Sequence, residues 1–334
     1  MKYINNAKLG KMSVMGLGCW NFGGQWNKTS KKEAINIIRF GIDSGINFVD
    51  VAESYGIPDG QCELILGEAL KDGYRSKVKI ISKVGWYARR DGKLSANTFW
   101  ERVLRKIVRE IKPYWLTETR RPEFIRLSGH ACCGRLHTDY IDLLLCHDGI
   151  TNKLEPFIEG FNELKQEGMI KEYGISTDNF DNLKRFYELS DGFCAACEFD
   201  YSLLNRNAEK QIIPFCIENN IAMLTRGSLC RGLLSGKYNF NTIFTEKSRI
   251  HWNPDGACRQ EYLDYIAKVE VLKKQYKNKI IDVSYQYIFS QNNPMSVVMG
   301  CTSLEQLNKN LEICNNKLTS QQIIEINSFL KNIH

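Results

Sequence analysis

Four ionisable side chains in this sequence, Asp50, Tyr55, Lys83 and His147, are of the types that a proton-transfer site needs. Asp50 and Tyr55 share the stretch Asn47-Phe48-Val49-Asp50-Val51-Ala52-Glu53-Ser54-Tyr55-Gly56. Lys83 ends Lys77-Val78-Lys79-Ile80-Ile81-Ser82-Lys83, and His147 ends Tyr140-Ile141-Asp142-Leu143-Leu144-Leu145-Cys146-His147. A carboxylate, a phenol, an ammonium and an imidazole brought together can move a proton, because a lysine held by an aspartate lowers the pKa of a nearby tyrosine hydroxyl. Each residue alone is ordinary, so the chemistry depends on what brings them together.

The elements needed for that are legible. All three segments are short, apolar, β-branched runs that stop at an ionisable residue, which is how the buried strands of a parallel barrel deliver side chains to its C-terminal rim. Ser30 with Glu33 makes a capping box for a helix through Ile42, with Ile35, Ile38 and Ile42 as its inward face. A second helix runs from Glu63 to Lys71 and a third from about Leu154 to Gln166. Further strands are expected at Val14–Trp20, Glu172–Ser176, Cys194–Phe199, Ala222–Thr225 and Ser296–Gly300, with helices near 208–219, 261–276 and 304–314. Eight βα units in one chain specify the α/β class and a closed (β/α)8 barrel of the TIM type, preceded by an N-terminal hairpin through Tyr3-Ile4 and Met12-Ser13-Val14. Gly16 and Gly18 lack the third glycine and following helix of a dinucleotide fingerprint, and are expected instead to let backbone approach a ligand at the rim.

At 334 residues the chain is expected to be one barrel domain over 1–334. The rhythm breaks once, between the strands ending at Lys83 and His147, where residues 98–121 carry Phe99, Val103, Leu104, Ile107, Val108 and Ile111 at helical intervals. This is expected to be an inserted helix leaving the rim beside Lys83, packed on the barrel or folded over a pocket. From Arg89 to Arg135 there are twelve Lys or Arg against five Asp or Glu, which accounts for the whole formal charge of +7. Such a bias either solvates an exposed helix face or draws an anionic substrate, such as a phosphorylated or nucleotide-linked sugar, to a lid. Without a recognisable stacking module it does not point to nucleic acid.

A composition of 43% hydrophobic and 25% charged residues is that of a globular chain with a large core. No run approaches the roughly 20 apolar residues of a membrane span, and Met1-Lys2-Tyr3-Ile4-Asn5-Asn6 lacks a signal-peptide core, so no membrane partner and a cytoplasmic location are expected. The twelve cysteines include no Cys-x-x-Cys pair and are expected to be buried reduced thiols. His130, Cys132, Cys133 and His137 match no familiar zinc spacing, so they are read as part of a helix and no metal is expected.

With these residues in view, the chain resembles the aldo-keto reductases over nearly its whole length. The resemblance is carried by Gly16-Leu17-Gly18-Cys19-Trp20, by Asp50 with Glu53-Ser54-Tyr55-Gly56, by Ser82-Lys83, by Thr138–Leu144 with His147, and by Tyr173-Gly174-Ile175-Ser176. It continues through Tyr201-Ser202-Leu203-Leu204, Arg231-Gly232-Leu233-Leu234-Ser235-Gly236-Lys237, and Gly300-Cys301-Thr302-Ser303 with Gln306 and Asn310. The resemblance implies a barrel that binds a nicotinamide cofactor, NADPH by family habit. Tyr55 would be the general acid or base, Lys83 paired with Asp50 would lower its pKa, and His147 would orient the carbonyl.

The family's cofactor residues carry over to Trp20, Ser176, Thr177, Glu198, Arg226, Gly227, Ser228, Leu229, Arg231, Gly300, Thr302, Ser303, Gln306 and Asn310. Three positions depart from the usual pattern: Thr177 stands for Asn, Glu198 for Gln, and Arg226 for a ring-stacking Tyr, whose place a guanidinium can take. Gln306 replaces a basic residue that would clamp a 2′-phosphate, which makes NADH a rival to NADPH. The implied activity is reduction of an aldehyde or ketone, or oxidation of the corresponding alcohol or sugar. Leu145-Cys146-His147-Asp148 and Lys165-Gln166-Glu167-Gly168 resemble sugar-dehydrogenase branches such as those oxidising L-galactose. The alternative is a non-catalytic cofactor-binding barrel of the kind found in potassium-channel β-subunits, against which the complete tetrad argues. Substrate, reaction direction and oligomeric state are not written in the sequence.

Overall fold

A computed structural model describes residues 1–25, 29–85, 121–147, 153–246, 248–291 and 294–331. A hairpin of β1 (Tyr3–Asn6) and β2 (Gly10–Ser13) opens the chain. The alternating series that follows is β3 (Met15–Gly18), α1 (Lys31–Asp43), β4 (Phe48–Asp50), α2 (Gln61–Ala69), β5 (Lys79–Val84), α3 (Pro122–Leu136), β6 (Ile141–His147), α4 (Glu155–Gln166), β7 (Ile170–Ser176) and α5 (Phe180–Leu189). It ends with β8 (Ala196–Asp200), α6 (Ile212–Glu218), β9 (Ala222–Arg226), α7 (Arg259–Tyr276), α8 (Ile280–Phe289), β10 (Met295–Gly300), α9 (Leu304–Ile313) and α10 (Ser320–Lys331). Strands β3 to β10 are all parallel and close into an eight-stranded barrel, β10 pairing with both β9 and β3. This is the (β/α)8 TIM barrel and N-terminal hairpin expected from the sequence. The expected insertion falls almost wholly in 86–120, outside the described residues.

Period-2 alternation divides the core into two. Inside the barrel lie Phe48, Ile81, Leu143, Leu145, Ala196, Ala222 and Leu224, and the hairpin adds Leu9 and Met12 to this cluster, plugging the barrel's N-terminal end. The alternate residues, such as Val49, Ile80, Leu144, Cys146, Ile175, Cys197 and Met223, face outward into the larger core beneath the helices. Gly16 belongs to this packing: a Cβ there would lie 2.1 Å from the Phe48 ring. Its glycine therefore makes room for the barrel's interior, which corrects the expectation of a ligand-facing role.

Ser30 and Glu33 form the expected capping box of α1, but its buried face is Ala34, Ile37, Ile38, Gly41 and Ile42, with Ile35 only half-buried. Helices α5, α8 and α10 are additional to those read from the sequence. In α8 the β-branched and aromatic residues Ile280, Val283, Tyr285, Tyr287 and Ile288 are nearly all buried, so no polar face marks its period. The twelve cysteines are free and all but Cys258 are buried. His130 meets Glu167 at 2.7 Å and His137 lies 3.7 Å from Glu68, while Cys132 and Cys133 are buried between them. Among the described residues no helix is long and apolar enough to cross a membrane.

One outer contact supports the wall that carries Lys83. Glu63 on α2 is fully buried; its carboxylate accepts from Arg135 Nε of α3 at 2.6 Å and from Ser82 Oγ of β5 at 2.8 Å. Glu63→Ala leaves the guanidinium facing a cavity, and the expected loss is about 3 kcal/mol in denaturant unfolding, with Glu63→Gln losing less because it still accepts hydrogen bonds. An unchanged denaturation midpoint in Glu63→Ala would show that solvent satisfies Arg135 instead.

Candidate active site

At the C-terminal ends of the strands the inward-facing positions change from apolar to polar. Asp50, Lys83, His147, Ser176, Glu198 and Arg226 lie at or near the C-terminal ends of successive strands from β4 to β9, and the register pairs His147 with Ser176, Ser176 with Glu198, and Asp200 with Arg226. The barrel thus gathers at one mouth residues that lie far apart in the chain.

Lys83 is the centre of the site. Its side chain is fully buried, and Nζ donates to Asp50 Oδ2 at 2.5 Å and to the Val51 carbonyl at 3.4 Å. The same Nζ lies 3.3 Å from Glu198 Oε2, so one ammonium faces two carboxylates that are themselves only 2% and 1% exposed. Burial alone pulls the Lys83 pKa down, but Asp50 and then Glu198 more than reverse this, and the net shift is upward. Burial pushes Asp50 well up and the Glu198 charge adds to it, with Lys83 offsetting only part.

Tyr55 stands on the loop after β4, half-buried. Its ring stacks on Trp20 with centroids 5.5 Å apart, meets His147 edge-on at 6.0 Å, and has Lys83 Nζ 5.3 Å from its centroid. Trp20 is fixed in turn by donation from Nε1 to Gln25 Oε1. Glu53 ties this loop to the next strand, its backbone N–H donating to the Lys83 carbonyl at 3.1 Å and its Oε1 accepting from Gly85 N–H at 2.7 Å. Lys83 acts on the Tyr55 pKa in the expected direction, but the net shift is upward. Burial raises the pKa, and Lys83, although the strongest opposing influence, does not overcome burial with Asp50 and Glu198 nearby.

Across the mouth, Ser176 Oγ donates to Glu198 Oε1 at 3.5 Å, whereas the Thr177 hydroxyl accepts from Asn179 N–H at 3.0 Å within its own loop. Arg226 is held by Asp178 at 2.6 Å and lies 3.5 Å from Asp200 and 3.9 Å from Glu198. Sequence reasoning missed both aspartates. Asp200 was within its reach, because it lies two residues after Glu198 and so on the same strand face.

The loop after β9 begins at Gly227, with φ 68° and no room for a side chain: a Cβ would lie 2.4 Å from Asp200 Oδ2. Ser228 Oγ is buried with no hydrogen-bond partner among the described residues. Leu229 accepts from Gly232 N–H at 2.9 Å, and Arg231 Nη1 lies 3.2 Å from His251 Nε2. His251, absent from the sequence reading, has its pKa lowered by burial and by Arg231.

At the last strand, Gly300 abuts Asn21, whose Nδ2 would be 2.7 Å from a Cβ there. Ser303 caps α9 by accepting from Gln306 N–H at 3.2 Å, while Gln306 Oε1 accepts from Thr302 N–H at 3.0 Å and Thr302 Oγ1 at 3.1 Å. Asn310 is buried, its Nδ2 donating to Met299 Sδ at 3.0 Å, so it faces β10.

A model of the aldo/keto reductase family matches residues 14–331. The chain belongs to this family. The aldo-keto reductase YhdN of Bacillus subtilis (strain 168) is 29% identical, over 99% of this chain and 94% of the relative. An NADH-specific methylglyoxal reductase of Escherichia coli (strain K12) is 28% identical, over 92% of this chain and 91% of its own length. In structure, the chain is similar to an aldo-keto reductase of Bacillus halodurans in its holo form, with a TM-score of 0.74, 23% identity, and coverage of 98% and 96%.

As an aldo-keto reductase the protein is an oxidoreductase that works with NAD(P)H. The mouth has features suited to such a dinucleotide. The Ser228 hydroxyl, buried with no hydrogen-bond partner among the described residues, and the N-terminus of the ten-residue α9 are the kinds of groups that receive phosphates.

Proposed function

We propose that this aldo-keto reductase reduces a small aldehyde or ketone, and oxidises the corresponding alcohol or sugar in reverse, with Tyr55 as general acid and base. Asp50 and Lys83 set the proton affinity of Tyr55, and His147 orients the substrate oxygen. The observation that carries this reading is the fully buried Lys83 ammonium, fixed by Asp50 at 2.5 Å and set 5.3 Å from the centre of the Tyr55 ring. A buried cation in that position stabilises negative charge as it develops on the phenol oxygen.

When bound, the dinucleotide supplies or accepts the hydride. Tyr55 delivers the proton to the carbonyl oxygen, and its upward-shifted pKa keeps the hydroxyl protonated at neutral pH, the form that donation requires. Trp20, stacked on Tyr55, fixes the ring and narrows the space open to water. Ser176, Thr177, Glu198 and Arg226 would hold the nicotinamide end, Gly227, Ser228, Leu229 and Arg231 the pyrophosphate, and Gly300, Thr302, Ser303, Gln306 and Asn310 the adenosine phosphate.

The described mouth presents the carboxylates Asp50, Asp178, Glu198 and Asp200 against the cations Lys83 and Arg226. We therefore favour an uncharged carbonyl compound or sugar as substrate. The anionic alternative depends on the arginines of 98–121, outside the described residues. Following the absorbance of the reduced nicotinamide across a panel of neutral and anionic carbonyl compounds and sugars tests the reading. No turnover of any neutral compound with either dinucleotide would sink it.

Coenzyme discrimination is expected to be weak. Gln306 spends its carbonyl oxygen on Thr302, and the first turn of α9 carries Glu305, itself paired with Lys309 at 2.7 Å, so no unpaired cation in that turn awaits a 2′-phosphate. Dissociation constants for NADPH and NADH should lie within about tenfold, or about 1.4 kcal/mol. A calorimetric preference for NADPH of several orders of magnitude would place a phosphate clamp elsewhere.

A further inference from the structure

Each cation near Glu198 has a closer carboxylate. Lys83 Nζ is 2.5 Å from Asp50 but 3.3 Å from Glu198 Oε2, and the nearer contact is a directed hydrogen bond while Oε2 receives none. Arg226 reaches Asp178 at 2.6 Å and Asp200 at 3.5 Å before Glu198 at 3.9 Å. Of the other neighbours of the Glu198 carboxylate, Ser176 Oγ is neutral and distant at 3.5 Å, and the Asp50 carboxylate adds like charge. Glu198 is therefore a carboxylate whose cation contacts, at 3.3 and 3.9 Å, are both shared with a nearer carboxylate, and it is 1% exposed, where water screens it little.

We propose that Glu198 sets the redox preference of the bound nicotinamide, its under-compensated negative charge weighting the site toward the oxidised, cationic ring over the neutral dihydro form. This preference depends on the reading above, in which Ser176, Glu198 and Arg226 would hold the nicotinamide end of the dinucleotide. A glutamine at this position would offer the same acceptor oxygen to a carboxamide without the charge. Glu198 acts here as a positioning and charge-setting residue, and its effect appears as a difference between two ligands that share every group except the ring's oxidation state.

The test is calorimetric titration of the wild type, Glu198→Gln and Glu198→Asp with NAD+ and with NADH, and a melting curve for each protein confirms that it is folded. Glu198→Gln should weaken NAD+ about tenfold more than NADH, and Glu198→Asp, which keeps the charge, should retain most of the wild-type ratio. If Glu198→Gln changes both affinities by the same factor, or neither, the charge is irrelevant and the inference fails while the proposed reaction stands. If the wild type binds neither dinucleotide, both the inference and the reading beneath it fall.

Discussion

Tyr55→Phe should give a folded protein that binds dinucleotide within about twofold of the wild type and turns over at least about a thousandfold more slowly. The substitution removes one oxygen from a half-buried ring whose stacking on Trp20 and edge contact with His147 do not involve that oxygen. What is lost is the proton donor, needed only as the carbonyl oxygen takes up charge, so kcat should fall while the dinucleotide affinity holds. The wild-type pH dependence should follow from the same hydroxyl. With the phenol pKa raised, reduction should stay flat through neutral pH, because the protonated form dominates. Oxidation, which needs the phenolate, should climb toward alkaline pH. Steady-state kinetics in both directions check this, and a Tyr55→Phe enzyme with most of its wild-type kcat would end the proposed assignment.

Most of the barrel was legible because it is built from local signals. The Ser30 and Glu33 capping box and the apolar runs stopping at Asp50, Lys83 and His147 each fix an element without reference to its neighbours. The proton-transfer residues were legible for the same reason, since Asp50, Lys83 and His147 lie at or next to strand ends, Tyr55 follows on the loop after β4, and a parallel barrel sends strand ends to one rim. What the sequence hid depends on packing across the barrel. The approach of Glu198 to Lys83 joins β8 to β5, strands that are not paired with each other, and no spacing rule encodes it. The net direction of the Tyr55 pKa was hidden likewise, because it is decided by how much protein surrounds the ring against how near one ammonium comes. The role of Gly16 is of the same kind, because the space beside it is taken by Phe48 from the neighbouring strand.

Lys83→Met should be strongly destabilising, and the loss of stability should depend on pH in a particular sense. Lys83, Asp50 and Glu198 are 0%, 2% and 1% exposed, so removing the ammonium leaves two carboxylates in one buried space with no cation between them. Breaking a buried ion pair from one side costs about 3–5 kcal/mol, and the loss of the charge that steadies the phenolate should lower kcat by about a hundredfold or more.

In the variant the carboxylates can be accommodated only by taking up protons, which raises their folded-state pKa values above the unfolded ones. A group raised in this way holds its stability below its unfolded pKa and loses it as pH rises through the folded value. In the wild type the Lys83 pKa is itself raised, so its contribution persists into alkaline solution. The stability gap between the two proteins should therefore be widest at neutral and mildly alkaline pH and should narrow toward about pH 5, as the carboxylates of the variant protonate. Urea unfolding at several pH values measures this. Adding Asp50→Asn and Glu198→Gln to Lys83→Met should restore most of the lost stability, because the uncompensated charges are gone, and should restore none of the turnover. A Lys83→Met protein as stable as the wild type across that range would mean that the carboxylates are already neutral, and it would remove the charge on which both the steadied phenolate and the Glu198 effect depend.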